Sequence, residues 1–130
     1  MKDFNNPPVF IIALNHDEDT QTEREVLADR FGIKSNTIKS LKGCYKGSCE
    51  NSYLVSAQVG RPAIDTVLEE FHQESALFLD QNRNAFLVRR GAGLQYIGQW
   101  LQKPKQVAVN QPAYTHDPST DVYYVVQPTH

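Results

Sequence analysis

Hydrophobic residues along the chain fall into short runs separated by polar turns, and their period switches between two and about 3.6. Val9-Phe10-Ile11-Ile12-Ala13-Leu14, after Pro7-Pro8, is apolar, β-branched and short, which predicts a buried strand. Asn15 to Asp19 is polar and turns the chain. Thr20 or Thr22 offers a helix cap, with Glu23 or Glu25 at the third position of a capping box. Val26, Leu27, Arg30 and Phe31 set an apolar stripe, and Gly32 provides the stop. Ile33 to Tyr45, with Thr37, Ile38 and Leu41 as strand-formers, reads as a strand that bends at Gly43 to Gly47. Ser52 to Ala57 is its partner. Pro62 suits the first turn of a second helix, where Ile64, Val67, Leu68 and Phe71 recur at helical spacing. Ala76 to Leu79 is the next strand. The chain turns at Asn82-Arg83-Asn84, and Ala85 to Val88 returns as a hairpin partner.

This order predicts an α+β, ferredoxin-like β-α-β-β-α-β arrangement: an antiparallel sheet with two helices on one face, plus extra C-terminal strands. The other sheet face is left for solvent, for the C-terminal segment or for an oligomer. Gly91 to Trp100 suggests a short strand. Lys103 to Asp121 holds three prolines and no helical period, and Val122 to Val126 suggests a terminal strand. A chain of 130 residues is one domain, here 1–130, with residues 1–8 as a leader and 103–130 as an extended tail.

Composition narrows the partners. A hydrophobic content of 40% is a little below average, which fits a small domain with much surface or a subunit that completes its core by association. A net charge of −2 and a pI near 6.0 give no electrostatic footprint for nucleic acid or an anionic membrane. No apolar run approaches the ~20 residues that span a bilayer. Met1 to Asn6 balances Lys2 with Asp3 and is amide-rich, unlike the basic start of a signal peptide, so the expected location is the cytoplasm. Cys44 and Cys49, the only cysteines, are there expected as reduced thiols and are too few for a structural zinc site. A disulfide between them requires that they face each other across a hairpin.

The most unusual stretch is Leu41 to Ser52. Gly43 and Gly47 flank Tyr45 and precede Glu50 at the mouth of a strand, and glycine allows close approach of backbone to a ligand. On its residues alone, this stretch reads first as a hairpin with a solvated acid, since most loop carboxylates are merely solvated. Elsewhere the signals are weaker. His16, His72, His116 and His130 are scattered. Gly91-Ala92-Gly93 is a lone turn, Arg89-Arg90 a solvated strand end and Glu69-Glu70 an exposed helix face. No Ser-His-Asp spacing, phosphate loop or dinucleotide fingerprint is present.

Leu41-Lys42-Gly43-Cys44-Tyr45-Lys46 resembles the Leu-x-Gly-Cys-Tyr-basic segment of the small phage-encoded S-adenosylmethionine lyases, formerly called hydrolases. Glu50-Asn51-Ser52-Tyr53-Leu54-Val55 is similar to that family's acid, polar pair and strand. Asp80 to Val88 resembles its Gln-x-x-x-Ala-x-Leu-Val hairpin, and Val9 to Ile12 its opening strand. The likeness runs from Val9 to about Lys103.

The resemblance implies cleavage of S-adenosylmethionine into methylthioadenosine and L-homoserine lactone, with the substrate's own carboxylate as nucleophile and no cofactor or metal. It implies Glu50 and Tyr45 as catalytic residues. Gly43, Cys44, Lys46, Gly47 and Gln81 are its candidate substrate contacts. Glu50 would hold the α-ammonium or offset the sulfonium charge, and Tyr45 would face the sulfonium by a cation–π contact. It further implies a homotrimer with active sites between subunits, for which Tyr96, Ile97 and Trp100 offer anchors unless they close the monomer core. Two rivals stand beside this reading. One is a non-enzymatic ferredoxin-like binding module. The other is an RNA-binding domain, which the negative charge disfavours.

Overall fold

The computed structural model describes residues 8–14 and 19–128. The expectations placed on residues 1–7, on His16 with the rest of 15–18, and on His130 lie outside that range. The chain runs β1 (Val9–Leu14), α1 (Thr20–Phe31), β2 (Lys39–Tyr45), β3 (Ser48–Ser56), α2 (Arg61–Glu70), β4 (Ser75–Leu79), β5 (Asn84–Arg89), β6 (Leu94–Lys103), α3 (Lys105–Ala108), β7 (Ala113–Asp117) and β8 (Val122–Gln127).

The strands form one closed antiparallel barrel in the order β1-β3-β2-β7-β8-β6-β5-β4. This overturns the ferredoxin-like expectation. An open sheet would leave β2 and β4 as edges. Here β2 pairs with β7 as well as β3, and β4 pairs with β5 as well as β1. The C-terminal strands curl round and satisfy every edge, which removes the exposed ladder groups an open sheet carries. The segment from Leu94 is a ten-residue strand rather than a short one. Residues 103–121, expected as tail, supply α3 and β7.

The two-residue period of the strands builds a core on each side of the wall. Inside the barrel lie Val9, Ile11, Leu41, Leu54, Leu79 and Ala85, with Trp100 stacked on Tyr124 at 5.2 Å between ring centroids. Trp100 is 1% exposed. It therefore closes the monomer core, not a subunit interface. Outside, Phe10, Ile12, Leu14, Tyr53 and Val55 pack under Leu27 and Ala28 of α1 and Ile64, Val67 and Leu68 of α2. A third small cluster joins Ala108 of α3 to Tyr123 and Val125.

Local signals explain the helices, with two corrections. The α1 cap is Asp19, whose carboxylate accepts from Thr22 N at 2.7 Å, in place of Thr20 or Thr22. Its buried face is Glu23, Leu27 and Ala28, so the expected stripe is rotated and carries an acid. Gly32 ends α1 in the left-handed region at φ 68°. Arg30 of α1 and Glu70 of α2 form a paired set of hydrogen bonds of 2.7 to 3.0 Å, so Glu70 is an inter-helix tie and not simply a solvated face.

The barrel's two ends differ. One is plugged by Asp117, which accepts from Ser119 and pairs with Lys39 Nζ at 3.1 Å. The other, where β1 ends at Leu14 and β4 begins at Ser75, is open.

Candidate active site

The open end leads into a cavity of about 410 Å³. An eight-stranded barrel has an interior wide enough for side chains or one small ligand. Here the side chains fill the lower part and leave the mouth empty.

The β2–β3 hairpin forms one wall. Lys46 and Gly47, at φ 50° and 86°, make a two-residue turn with both central residues in the left-handed region. This geometry matches the right-handed twist of the flanking strands, and it fixes the register. Tyr45 then pairs with Ser48, Cys44 with Cys49, Gly43 with Glu50, Lys42 with Asn51 and Leu41 with Ser52. Ser48, Glu50 and Ser52 line the cavity together with Gly43 and Tyr45. A Cβ on Gly43 would lie 2.8 Å from Ser52 Oγ, so the missing side chain lets Ser52 lean across the wall. Cys44 and Cys49 are joined by a disulfide, which replaces the expected reduced thiols. Their non-hydrogen-bonded places in a two-residue hairpin bring the Cα atoms to 4.0 Å.

The opposite wall comes from β4, β5, β6 and β8. Leu77, Leu87, Ile97 and Val126 make it apolar, above Trp100 and Tyr124. Ile97 is the extra residue of a β-bulge: Ala85 pairs with Gly98, but Phe86 pairs with Tyr96. Thr115 of β7 continues the polar wall, and Ser75 is the polar exception on the other side.

Glu50 is exposed at the rim and is the one charged side chain among the described residues lining the cavity. Tyr45 is 58% exposed, and its ring already has Lys46 Nζ 5.2 Å from its centroid.

The structure thus gathers four of the sequence candidates, Gly43, Cys44, Tyr45 and Glu50, around one cavity. Lys46 and Gly47 sit at the hairpin tip outside it, where Lys46 N donates to Pro112 O at 2.8 Å. Gln81 follows Leu79, which pairs with Val9 at the plugged end, so it lies far from the mouth. His116 is away from the site, 2.8 Å from Asp121 and stacked on Tyr123. His72 is exposed beyond α2. Ser52, Thr115 and the apolar wall were missed. Ser52 had a signal, a small polar residue two positions from Glu50 and so on the same face of the strand.

The model of the S-adenosylmethionine lyase family matches residues 12–127. The chain belongs to this family. No curated protein matches it. The matched region runs from β1 to the last residue of β8, so it includes β7 and β8, beyond the Lys103 limit of the sequence likeness. Family membership supports an S-adenosylmethionine lyase activity in general terms. The described residues lining the cavity carry one negative charge, that of Glu50.

Proposed function

We propose that the protein cleaves S-adenosylmethionine into methylthioadenosine and L-homoserine lactone inside the barrel mouth. One observation carries this reading: the cavity holds a single carboxylate and, among the described residues, no cationic side chain. The substrate's ammonium then has a partner while its carboxylate has none. The free carboxylate oxygen attacks the γ-carbon and the carbon–sulfur bond breaks. The electron pair passes to sulfur, leaving a neutral thioether. A five-membered lactone closes with no proton transferred in the step.

Glu50 suits the ammonium better than the sulfonium. The ammonium charge survives the reaction, whereas the sulfonium charge disappears in it. A carboxylate against the sulfonium would stabilise the ground state more than the transition state and oppose the reaction. The apolar wall of Leu77, Leu87, Ile97 and Val126 takes the thioether and purine side, where loss of charge at sulfur is favoured. Orienting the methionine arm for ring closure is worth up to ~7–11 kcal/mol in well-held systems. Tyr45 at the rim borders the methionine arm. The homotrimer remains part of this proposal. Its support is the exposed Tyr45, Leu94 and Tyr96, no longer Trp100.

The test is product analysis in ¹⁸O-water at the earliest times. Lactone free of label is expected, and later hydrolysis labels only the homoserine carboxylate. Label in the homoserine hydroxyl would show attack by water and overturn the mechanism. Intact substrate would favour a binding module. A Glu50–ammonium pair at ~4 Å, between water-like and surface dielectric, is worth about 1–4 kcal/mol. Glu50→Gln should therefore keep its fold and lose on the order of 10- to 100-fold in kcat/KM.

A further inference from the structure

Strand β3 has two rows of side chains. Ser48, Glu50 and Ser52 line the cavity. Cys49, Asn51 and Tyr53 alternate with them on the outer face, and each is tied down. Cys49 is bonded to Cys44. Asn51 Nδ2 donates to Glu23 Oε1 at 3.1 Å, and Asn51 Oδ1 accepts from Lys42 Nζ at 2.6 Å. Tyr53 donates its hydroxyl to the same Glu23 Oε1. Glu23 is 2% exposed, on α1, outside the barrel. It does not line the barrel mouth, and its Oε2 has no hydrogen-bond partner among the described residues.

An acid on the buried face of a helix is costly unless hydrogen bonds or a charged partner offset its burial, and here only one of its two oxygens receives donors among the described residues. We propose that Glu23 is a positioning residue for Glu50, acting through Asn51 and Tyr53 on the opposite face of the same strand. This rests on the reading of Glu50 as the carboxylate that holds the substrate ammonium. One oxygen receives both donors, so it fixes two outer residues at once. Glu50 lies next to one of them and carries no hydrogen bond of its own among the described residues. The position of its Cα and the direction of its Cα–Cβ bond are therefore set by the backbone that Asn51 and Tyr53 hold. Burial and the bond to Glu23 push the Tyr53 hydroxyl above the usual tyrosine range, so it stays a donor throughout the working pH range. A displacement of ~1 Å of a group that orients substrate costs on the order of 10²-fold in rate. A partial loosening of β3 should cost about 10-fold.

The experiment compares Glu23→Gln, Glu23→Leu and Asn51→Ala in the full chain. It reads kcat/KM for S-adenosylmethionine, affinity for methylthioadenosine and the thermal midpoint. Gln keeps the accepting oxygen and replaces the unpartnered one, so Glu23→Gln should stay within about 3-fold of wild type even if its midpoint falls. Glu23→Leu and Asn51→Ala should lose about 10-fold in kcat/KM. They should keep methylthioadenosine affinity within about 2-fold, because that product has no ammonium for Glu50 to hold. Should Glu23→Leu fail to fold, Asn51→Ala decides alone, since Asn51 is only half-buried. Wild-type kcat/KM in Asn51→Ala overturns the proposal. So does a parallel loss of methylthioadenosine affinity, which marks general collapse of the wall. Full activity in Glu50→Gln instead overturns the reading on which the proposal rests, and the two failures are thereby told apart.

Discussion

Gly43 separates the fold of this barrel from its use. It sits mid-strand in β2, opposite Glu50, with its missing side chain directed at the cavity. Its φ is not in the left-handed region, so no backbone strain opposes a side chain there. Replacing glycine by alanine within a strand gains roughly 0.5–1 kcal/mol of backbone entropy. The new Cβ meets Ser52 Oγ at 2.8 Å, and that oxygen must swing away. An off-rotamer hydroxymethyl costs about 0.5–1.5 kcal/mol. The two terms nearly cancel, so Gly43→Ala should melt within a few degrees of wild type. Function should not be spared. One methyl from Ala, or three carbons from Val, enters the cavity beside Ser52. Overpacking of that kind costs ~1–3 kcal/mol, and charged against bound substrate it becomes roughly a 5- to 150-fold loss in kcat/KM. Thermal melts and steady-state kinetics on both variants check this. Unimpaired kcat/KM in Gly43→Val, with a normal melt, would mean that substrate does not occupy the barrel mouth.

Two further outcomes concern the barrel itself. Gly98, at φ +145°, lies where β6 passes β8, and a Cβ there would stand 2.4 Å from Gln127 O. Strain and overlap together put Gly98→Ala at about 2–5 kcal/mol, a fall of roughly 6 °C or more in melting temperature, and a shift under 2 °C would refute the tight seam. Burial raises the Asp117 pKa, but hydrogen bonds from Ser119, Lys39 and Thr120 outweigh it and hold the carboxyl below its ordinary value. Its stabilisation is therefore present above the unfolded pKa of ~4 and lost as pH falls through the folded value, so Asp117→Asn should cost about 3 kcal/mol at neutral pH and flatten the acid limb of the stability curve. An unchanged acid limb in urea melts across pH would remove Asp117 from that role.

The element order from β1 to β5 was legible because each segment carries a local signal. The Val9–Leu14 run, the Gly32 stop, the Pro62 start and the Ala85–Val88 hairpin partner all sit where the structure has them. Closure was not legible, because it depends on pairings between β2 and β7 and between β6 and β8 that no local period encodes. The three prolines between residues 103 and 121 masked β7. They lie just outside it and mark its boundaries and the start of α3, where proline costs no ladder bond. The polar half of the site was readable in one hairpin. The apolar half was not, since Leu77, Leu87, Ile97 and Val126 look like ordinary core until the barrel leaves its mouth open.

That division explains why Glu23 reads in the sequence only as a capping-box residue. Helical periodicity places position 23 on the face of Leu27, one turn earlier, and an acid there reads as an interruption of the stripe. The interruption makes sense only once β3 is known to serve two compartments. A strand in an open sheet needs one ordered face, and the other can relax into solvent. A barrel strand under a helix carries committed side chains on both faces, so a polar group fixed on one face constrains the backbone that carries the other through alternation alone. Asn51 cannot shift outward without moving the Glu50 backbone, and the Glu50 Cα cannot move without disturbing Asn51 and its bond to Glu23. The carboxyl on α1 and the carboxyl at the mouth are in this way linked by the backbone of two adjacent residues. A purely apolar helix face would pack as well on Tyr53 but would leave that linkage unmade.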